Sequence, residues 1–153
     1  MTKIMDLHCD TISRIRSRRN EGHICGLQDN HFHVDLKRMK EAGYSLQTFA
    51  LFTDAAEEES PFFASMELLD IFREEMKKNE DWIRQVITYE DLEKNEAEGK
   101  LSALLSVEDG GVSMGLPDIL EEYRKAGVRL MTLTWNHENV LAYPNKVGGH
   151  PKN

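Results

Sequence analysis

The sequence has only two cysteines, Cys9 and Cys25, among its 153 residues. Two cysteines cannot form the disulfide framework of a small secreted domain, so we expect a reducing, cytoplasmic compartment. The sequence also lacks an apolar run of about 18 residues, the length that a membrane-spanning helix requires. Its first residues contain no signal-like apolar segment, because Asp6 interrupts the short run that begins at Ile4. These features argue against a membrane-bound or secreted protein.

Basic residues are in the minority. The sequence has 19 Lys and Arg against 27 Asp and Glu, which gives a formal net charge of −8 at pH 7. Nucleic-acid binding needs a basic surface, so we expect no nucleic-acid partner. A hydrophobic share of 40% and a charged share of 30% are typical of a globular protein. The length is sufficient for a single domain over residues 1–153 with a core of its own.

Short apolar stretches alternate with amphipathic ones along the chain. We predict strands at residues 4–9, 44–52, 82–87, 101–107 and 128–134. We predict helices at 36–42 behind an Asp35 cap, from Ser60-Pro61 to 76, from Thr88 to 99, and at 117–126. The basic segment 12–19 is predicted to be a helical turn running into a loop, and 21–33 is predicted to be a long loop. This alternation predicts parallel βα units, in either a doubly wound sheet or a TIM-like barrel.

Potential metal ligands follow the first predicted strand. In the triplet His8-Cys9-Asp10, the outer two residues are two positions apart, so on a strand they project from the same face. An imidazole and a carboxylate at this spacing can hold a divalent metal. The carboxyl ends of parallel strands are also where α/β folds build their active sites. Cys9 is expected to face the opposite side as a buried thiol.

Two further strand ends carry polar clusters. The fourth predicted strand ends in Ser106-Val107-Glu108-Asp109-Gly110-Gly111, in which two glycines follow two carboxylates. The fifth leads into Leu133-Thr134-Trp135-Asn136-His137-Glu138-Asn139. Taken singly, each cluster is equally compatible with a solvated loop. In a barrel, however, the ends of the first, fourth and fifth strands face one mouth.

Taken together, these clusters resemble the membrane (renal) dipeptidase family of zinc peptidases, which have an amidohydrolase-type barrel. The resemblance extends over residues 5–142 and is carried by four segments. They are DLHCDT at 6–11, HVDLKRMKEAG at 33–43, SVEDGG at 106–111, and YRKAGVRLMTLTWNHEN at 123–139. The resemblance implies an α/β fold, a TIM-like (β/α) barrel that is incomplete in this chain, with about five βα units. A Gly-x-Gly-x-x-Gly motif, which would favour a dinucleotide fold instead, is missing after the first strand.

The resemblance also implies roles for individual residues. His8 and Asp10 correspond to ligands of the first zinc, and Glu108 corresponds to the catalytic carboxylate that bridges two zinc ions. The implied activity is hydrolysis of dipeptides by a metal-activated water. Many members have a substrate-contacting histidine where this chain has Trp135, so His137 is the candidate to contact the substrate instead. We expect Asp109 to point away from the metals and either to support the ligands or to be solvated. Loop or capping positions are expected for the remaining histidines, His23, His31, His33 and His150.

The chain departs from the family in length. A complete barrel has eight strands and about twice as many residues, and the family's remaining zinc ligands lie on later strands. We therefore expect a fragment or truncated product with weak binding of one metal and little or no peptidase activity. The fifth strand would expose an open edge, which a second copy or another partner could cover. Two alternatives stay open: another amidohydrolase-like metal hydrolase, and a non-catalytic barrel fragment.

Overall fold

A computed structural model describes residues 3–54 and 57–145. Strands and helices alternate over most of this length. The strands are β1 (Ile4–Asp6), β2 (Tyr44–Phe52), β3 (Ile83–Gln85), β4 (Leu101–Glu108) and β5 (Val128–Met131). The helices are α1 (Thr11–Asn20), α2 (Leu36–Ala42), α3 (Pro61–Lys78), α4 (Tyr89–Ala97) and α5 (Pro117–Ala126), and a 3-10 turn spans Gly110–Ser113. The predicted α/β class is confirmed.

All strand pairs of the sheet are parallel. Strand β4 lies beside β2 along almost its whole length, from the pair Leu46 and Ser102 to the pair Phe52 and Glu108. Strand β1 extends the sheet on the far side of β2. The other side of β4 is shared, because β3 pairs with its first residues and β5 with its last. The short β3 therefore does not separate β2 from β4.

Side-chain caps set the starts of two helices, α2 and α4. The side chain of Asp35 accepts a hydrogen bond from the backbone N–H of Arg38 and begins α2. Thr88 and Asp91 form the reciprocal capping box that begins α4. Ser60 precedes α3 as predicted, but its side chain makes no capping hydrogen bond. These boundaries depend on neighbours three residues apart, so the sequence alone was sufficient to place them.

Three predicted strands are longer than the observed ones. Strand β1 ends at Asp6 and not at Cys9, β3 spans Ile83–Gln85 and not 82–87, and β5 ends at Met131 and not at Thr134. The chain leaves β1 early because α1 begins at Thr11, with the carbonyl oxygen of Asp10 accepting a hydrogen bond from the N–H of Arg14 at 3.1 Å. The segment 12–19, predicted to be a helical turn running into a loop, is therefore part of a helix of 10 residues.

The core lies between the sheet and its helices. Phe49 of β2 packs against Phe72 of α3, with ring centroids 6.1 Å apart. Ile12 and Ile15 anchor α1 in the same core, and both are fully buried. Tyr123 of α5 is buried too and hydrogen-bonds Ser65 of α3. Burial of these aromatic and branched side chains supplies the main stabilisation of the layers.

The outer strands carry exposed apolar side chains. Met5 and Leu7 at β1 are 54% and 66% exposed, and Leu130 and Leu133 at β5 are 45% and 60% exposed. Within residues 3–54 and 57–145, β1 pairs only with β2, and β5 only with β4. The open edge predicted for the fifth strand is therefore present in this part of the chain. No helix in the described segments has the length and apolarity to cross a bilayer.

Candidate metal centre

Three potential ligands meet at the carboxyl-terminal edge of the sheet. His8, Asp10 and Glu108 each offer a ligand atom, and these atoms all lie within 4.8 Å of one another. The Nε2 atom of His8 lies 3.3 Å from Oδ1 of Asp10 and 3.3 Å from Oε2 of Glu108. The sequence prediction that these three residues converge is thus matched by their positions.

Hydrogen bonds of the backbone hold the segment of His8 and Asp10 in place, although neither residue lies in a strand. The side chain of Asp6 accepts a hydrogen bond from the N–H of His8 at 3.1 Å. The carbonyl oxygen of Cys9 accepts another from the N–H of Ala50 at 3.0 Å, which holds this segment against β2. The prediction that His8 and Asp10 project from one face of a strand was wrong, because both residues lie beyond β1. A loop held at both ends brings them together instead.

Glu108 is the last residue of β4 and lies opposite Phe52 of β2. Burial raises the pKa of its carboxyl group. The negative charges of Asp10 and Asp109 raise this pKa further, and His8 offsets them only in part. One imidazole and two carboxylates in contact form a donor set that suits a divalent cation. A bound cation would also compensate the negative charge concentrated here, so the residues fit a metal.

Asp109 is part of the fold of the site and is not solvated. The residue is 1% exposed, and its φ of 73° breaks the strand geometry that the sequence prediction assumed. Its Oδ1 accepts hydrogen bonds from the N–H of Gly111 at 2.9 Å and from Nδ2 of Asn139 at 2.6 Å. Asp109 therefore joins the loop that follows β4 to the loop that follows β5.

His137 lies near the mouth but outside the group of three ligands. Its Nε2 is 4.0 Å from Oδ1 of Asp54, and its ring centroid is 6.1 Å from that of Trp135. Trp135 packs edge-on against Phe52, at a centroid distance of 4.9 Å. The aromatic contact therefore connects the segment that carries His137 to the end of β2. Its predicted contact with substrate stays a prediction.

A cavity of about 810 Å³ opens beside the three-ligand group. Its wall includes His8 and Asp10, together with residues that the sequence prediction did not select. Among them are Arg14, His33, Phe52, Thr53 and Asp54. The polar pair Thr53-Asp54 directly after a buried strand could have indicated this wall, as the same pattern did after β4. Arg14 could not have been selected without the orientation of α1.

The remaining predicted residues behave in part as expected. Cys9 is buried, and burial raises the pKa of its thiol to about 11. His23 lies in its loop, with Nε2 3.7 Å from the carboxylate of Glu21. His31 and His33 are exposed loop residues, although His33 also lines the cavity. His150, for which a loop or capping position was also predicted, lies outside the described residues.

Comparison with solved structures shows the same fold in proteins about twice as long. The chain is 20% identical to dipeptidase AC, a metallopeptidase of family M19, with a TM-score of 0.76, covering 92% of this chain and 45% of that one. It is 18% identical to a metallopeptidase from Rhodobacter sphaeroides liganded with a phosphinate mimic of L-Ala-D-Ala, with a TM-score of 0.76, covering 94% and 48%. An amidohydrolase from Pseudomonas aeruginosa is 15% identical with a TM-score of 0.62, covering 71% and 32%.

These likenesses agree with a parallel α/β sheet that forms part of a TIM-like barrel. The chain spans about half the length of the first two structures. Comparison with curated proteins finds no match. The sequence profile of one family, described as membrane dipeptidase, peptidase family M19, matches residues 1–148. The chain therefore belongs to the membrane dipeptidase family of metallopeptidases, peptidase family M19.

Proposed function

We propose that this chain provides His8, Asp10 and Glu108 as zinc ligands of a metallo-dipeptidase centre. The observation that carries the proposal is the convergence of their ligand atoms within 4.8 Å at the carboxyl end of the sheet. Nitrogen and carboxylate oxygen ligands are those that zinc takes in hydrolytic sites. In the whole protein, two zinc ions would be held, with Glu108 shared between them.

Zinc in such a site supplies a water of lowered pKa and polarises the carbonyl of the bond to be cleaved. The contribution of this chain is to fix the ligands before the metal arrives. His8 is held by the Asp6 carboxylate through its backbone N–H, and Glu108 is held by the β2–β4 ladder. Deprotonation of Glu108 is required for it to bind zinc, and the cation itself favours that deprotonated form.

A dipeptide is the substrate that we propose. The metallopeptidase from Rhodobacter sphaeroides was solved with a mimic of a dipeptide, and it shares the fold of this chain. The cavity beside His8 and Asp10 has about 810 Å³, which is enough for a ligand of this size. His137, on the segment that contacts Phe52 through Trp135, would contact the substrate from the opposite loop.

Hydrolysis of a different amide or ester at the same metal centre is the alternative. The likeness to a Pseudomonas aeruginosa amidohydrolase of the same fold supports this alternative. A panel of dipeptides, N-acyl amino acids and simple esters, assayed with zinc, separates the two. Preference for a substrate without a free peptide amino group would favour the alternative.

The affinity of residues 1–153 for zinc tests the proposal. Competition with a chromophoric chelator should give one zinc bound by residues 1–153, and His8→Ala and Glu108→Gln should each weaken binding by about tenfold or more. His23→Ala is the matched control, because His23 is an exposed histidine distant from the three-ligand group in sequence. Equal zinc affinity in H8A, E108Q and H23A would overturn the proposal.

A further inference from the structure

We infer that Asp109 and Asn139 form a positioning pair, which couples zinc binding at Glu108 to the loop after β5 (residues 132–142). This loop carries Trp135 and His137. The inference rests on the proposed function, because it assigns to the same centre the residues that hold one of its ligands in place. Both members of the pair act through their neighbours and not as ligands.

The backbone of Asp109 has a conformation that its surroundings must hold. Its φ of 73° and ψ of 93° lie outside the regions that residues with a Cβ adopt freely. In the part of the chain that the structure describes, Met114 is the only other non-glycine residue with a positive φ. Such a conformation persists only where neighbouring contacts favour it. Asp109 directly follows Glu108, so the contacts that hold Asp109 also fix the end of β4.

Thr132 holds the main chain on both sides of Asp109. Its Oγ1 accepts a hydrogen bond from the N–H of Asp109 at 3.0 Å, and its carbonyl oxygen accepts one from the N–H of Gly110 at 2.8 Å. The N–H of Asp109 belongs to the peptide unit that joins this residue to Glu108. The first bond therefore orients the main chain from which the Glu108 side chain projects.

The side chain of Asp109 is held from the same loop. Its Oδ1 accepts hydrogen bonds from the N–H of Gly111 at 2.9 Å and from Nδ2 of Asn139 at 2.6 Å. Asp109 is 1% exposed, so water does not compete for these bonds. Hydrogen bonds to a buried carboxylate are stronger than those between neutral groups. The loop after β5 therefore holds Asp109 through its side chain as well as through its main chain.

Asn139 closes the loop after β5 around this contact. Its Nδ2 also donates to the carbonyl oxygen of Leu133 at 2.7 Å. Its Oδ1 accepts from the N–H of Leu141 at 2.8 Å and from the N–H of Ala142 at 3.1 Å. One amide side chain thus joins both ends of the loop to Asp109.

A second and independent contact attaches the same loop to the candidate centre. Trp135 packs edge-on against Phe52, with ring centroids 4.9 Å apart. Phe52 is the residue of β2 that pairs with Glu108 in the parallel ladder. The loop therefore contacts the chain on two sides of Glu108, through Asp109 after it and through Phe52 beside it.

Two glycines allow the loop to lie this close to the end of β4. A Cβ at Gly111 would lie 2.9 Å from Cβ of Asn139, and a Cβ at Gly110 would lie 2.9 Å from Cδ1 of Leu141. Contacts packed this closely do not deform continuously, so the loop is either docked on β4 or displaced from it. The docked position is the one in which Thr132 orients the main chain at Glu108.

Zinc and the docked loop should consequently stabilise each other. Zinc needs the Glu108 carboxylate at its ligand position, which the docked loop maintains. Linkage requires that zinc favour the docked loop by the same factor by which docking raises the affinity for zinc. In the proposed reaction, this coupling would hold His137 at the mouth of the site once the metal is in place.

Zinc titration and acrylamide quenching of Trp135 test the coupling in residues 1–153. Trp82→Phe is the background, because Trp82 is the other of two tryptophans and lies at the opposite end of the sheet, where its carbonyl oxygen accepts from the N–H of Leu101. Asn139→Ala removes the donor to Asp109 without changing the charge of the protein. Asn136→Ala, at another asparagine of the same loop, is the matched control.

A second pair of variants separates the charge of Asp109 from its hydrogen bonds. Asp109→Asn removes the charge and keeps Oδ1 as an acceptor. Asp109→Gly removes both, and glycine adopts a positive φ without strain. Circular dichroism checks that each variant is folded, and N139A alone decides the inference should D109G not fold.

We expect N139A to bind zinc about fivefold or more weakly than N136A, and D109G to bind zinc more weakly than D109N. Without zinc, Trp135 should be more accessible to acrylamide in N139A and D109G than in the background protein. Saturating zinc should restore part of its protection, because the contacts of Thr132 and Phe52 keep the docked position available. A role in stability alone would move neither the zinc affinity nor this zinc-dependent quenching.

Zinc affinity and Trp135 quenching in N139A equal to those in N136A would overturn the inference. Equal zinc affinities of D109N and D109G would do so too, because they would reduce the role of Asp109 to its charge. The proposed function is tested separately by H8A and E108Q. Zinc affinity that falls in those two variants but not in N139A would remove the coupling and keep the zinc site. Failure of the background protein to bind zinc would overturn both.

Discussion

The Nδ2 atom of Asn139 lies 2.6 Å from Oδ1 of Asp109 and so holds the loop after β5 against the residue that follows Glu108. The same Nδ2 also donates to the carbonyl oxygen of Leu133 at 2.7 Å. Through these contacts, one amide fixes the segment that carries Trp135 and His137 and also supports the end of β4. The loop after β5 is therefore part of the architecture of the candidate metal centre.

Replacement of Asn139 by alanine should lower the free energy of unfolding by about 1–3 kcal/mol, because it leaves the Asp109 carboxylate with fewer donors in a buried place. Chemical denaturation measures this loss. Asn136→Ala is the control, since the structure gives the Asn136 side chain no hydrogen bond in the described segments. Equal losses in the two variants would show that the Asp109–Asn139 bond does not stabilise the fold.

The buried carboxylate of Glu75 is a second group whose hydrogen bonds stabilise the fold. It accepts hydrogen bonds from the N–H of Leu27 at 2.7 Å and from Nη2 of Arg19 at 2.5 Å, and its side chain is fully buried. Glu75→Ala should therefore destabilise the protein by about 3–5 kcal/mol, because a buried donor and a partly buried cation lose their partner. Thermal or urea unfolding measures the change.

The control for Glu75 is its neighbour Glu74, which is 58% exposed and contacts the same Arg19. Exposed ion pairs contribute about 1 kcal/mol or less, so Glu74→Ala should have little effect. A loss as large in E74A as in E75A would contradict the account, because it would make the exposed pair as important as the buried one.

Asp35 should make stability depend on pH. Burial alone would raise the pKa of its carboxyl group, but hydrogen bonds from the N–H and guanidinium of Arg38 outweigh burial and lower it. A lowered pKa stabilises the folded state above the unfolded value of about 3.8, and that stabilisation is lost as the pH falls through the folded pKa. Asp35→Asn should therefore be less stable than wild type at pH 7.

The difference between wild type and D35N should shrink at the acidic end of a pH series of urea unfolding curves. Asp29→Asn is the control, because Asp29 is 65% exposed and pairs with Lys37 on the surface. A constant difference between wild type and D35N from pH 7 down to the acid transition would contradict the assigned role of the Asp35 carboxylate.

Cys9 should be unreactive although it lies between two proposed zinc ligands. Its thiol is buried and has a pKa of about 11, so little of the nucleophilic thiolate forms at pH 8. Iodoacetamide should modify the half-buried Cys25 faster than Cys9, as peptide mass spectrometry would report. Cys9→Ala should also leave zinc affinity unchanged. Rapid alkylation of Cys9, or loss of zinc binding in C9A, would contradict this assignment.

The sequence was sufficient where structure depends on near neighbours. Asp35 and Thr88 mark helix starts because their side chains reach a backbone N–H three residues on. It was insufficient where structure depends on distant pairing. The position of β3 beside the start of β4, and not between β2 and β4, follows from strand lengths and packing that no local pattern encodes.

The candidate site was likewise predictable from the sequence only in part. His8, Asp10 and Glu108 were identified from motifs and a family resemblance, and they do converge, although His8 and Asp10 lie on a loop and not on the strand that was predicted. The residues that line the cavity, among them Arg14 and Thr53, could not be predicted, because they depend on which helix face and strand end border it. Asp109 was expected either to support the site or to be solvated, and it is a buried supporting residue, although its φ of 73° ends the strand alternation that was assumed.

Anomalous diffraction at the zinc edge, from crystals of residues 1–153 grown with zinc, would locate the bound metal. We expect a peak about 2.0–2.2 Å from one nitrogen of His8 and from carboxylate oxygens of Asp10 and Glu108. The same crystals of Glu108→Gln should show a weaker peak or none. A peak at other residues, with the group of His8, Asp10 and Glu108 free of zinc, would contradict the account.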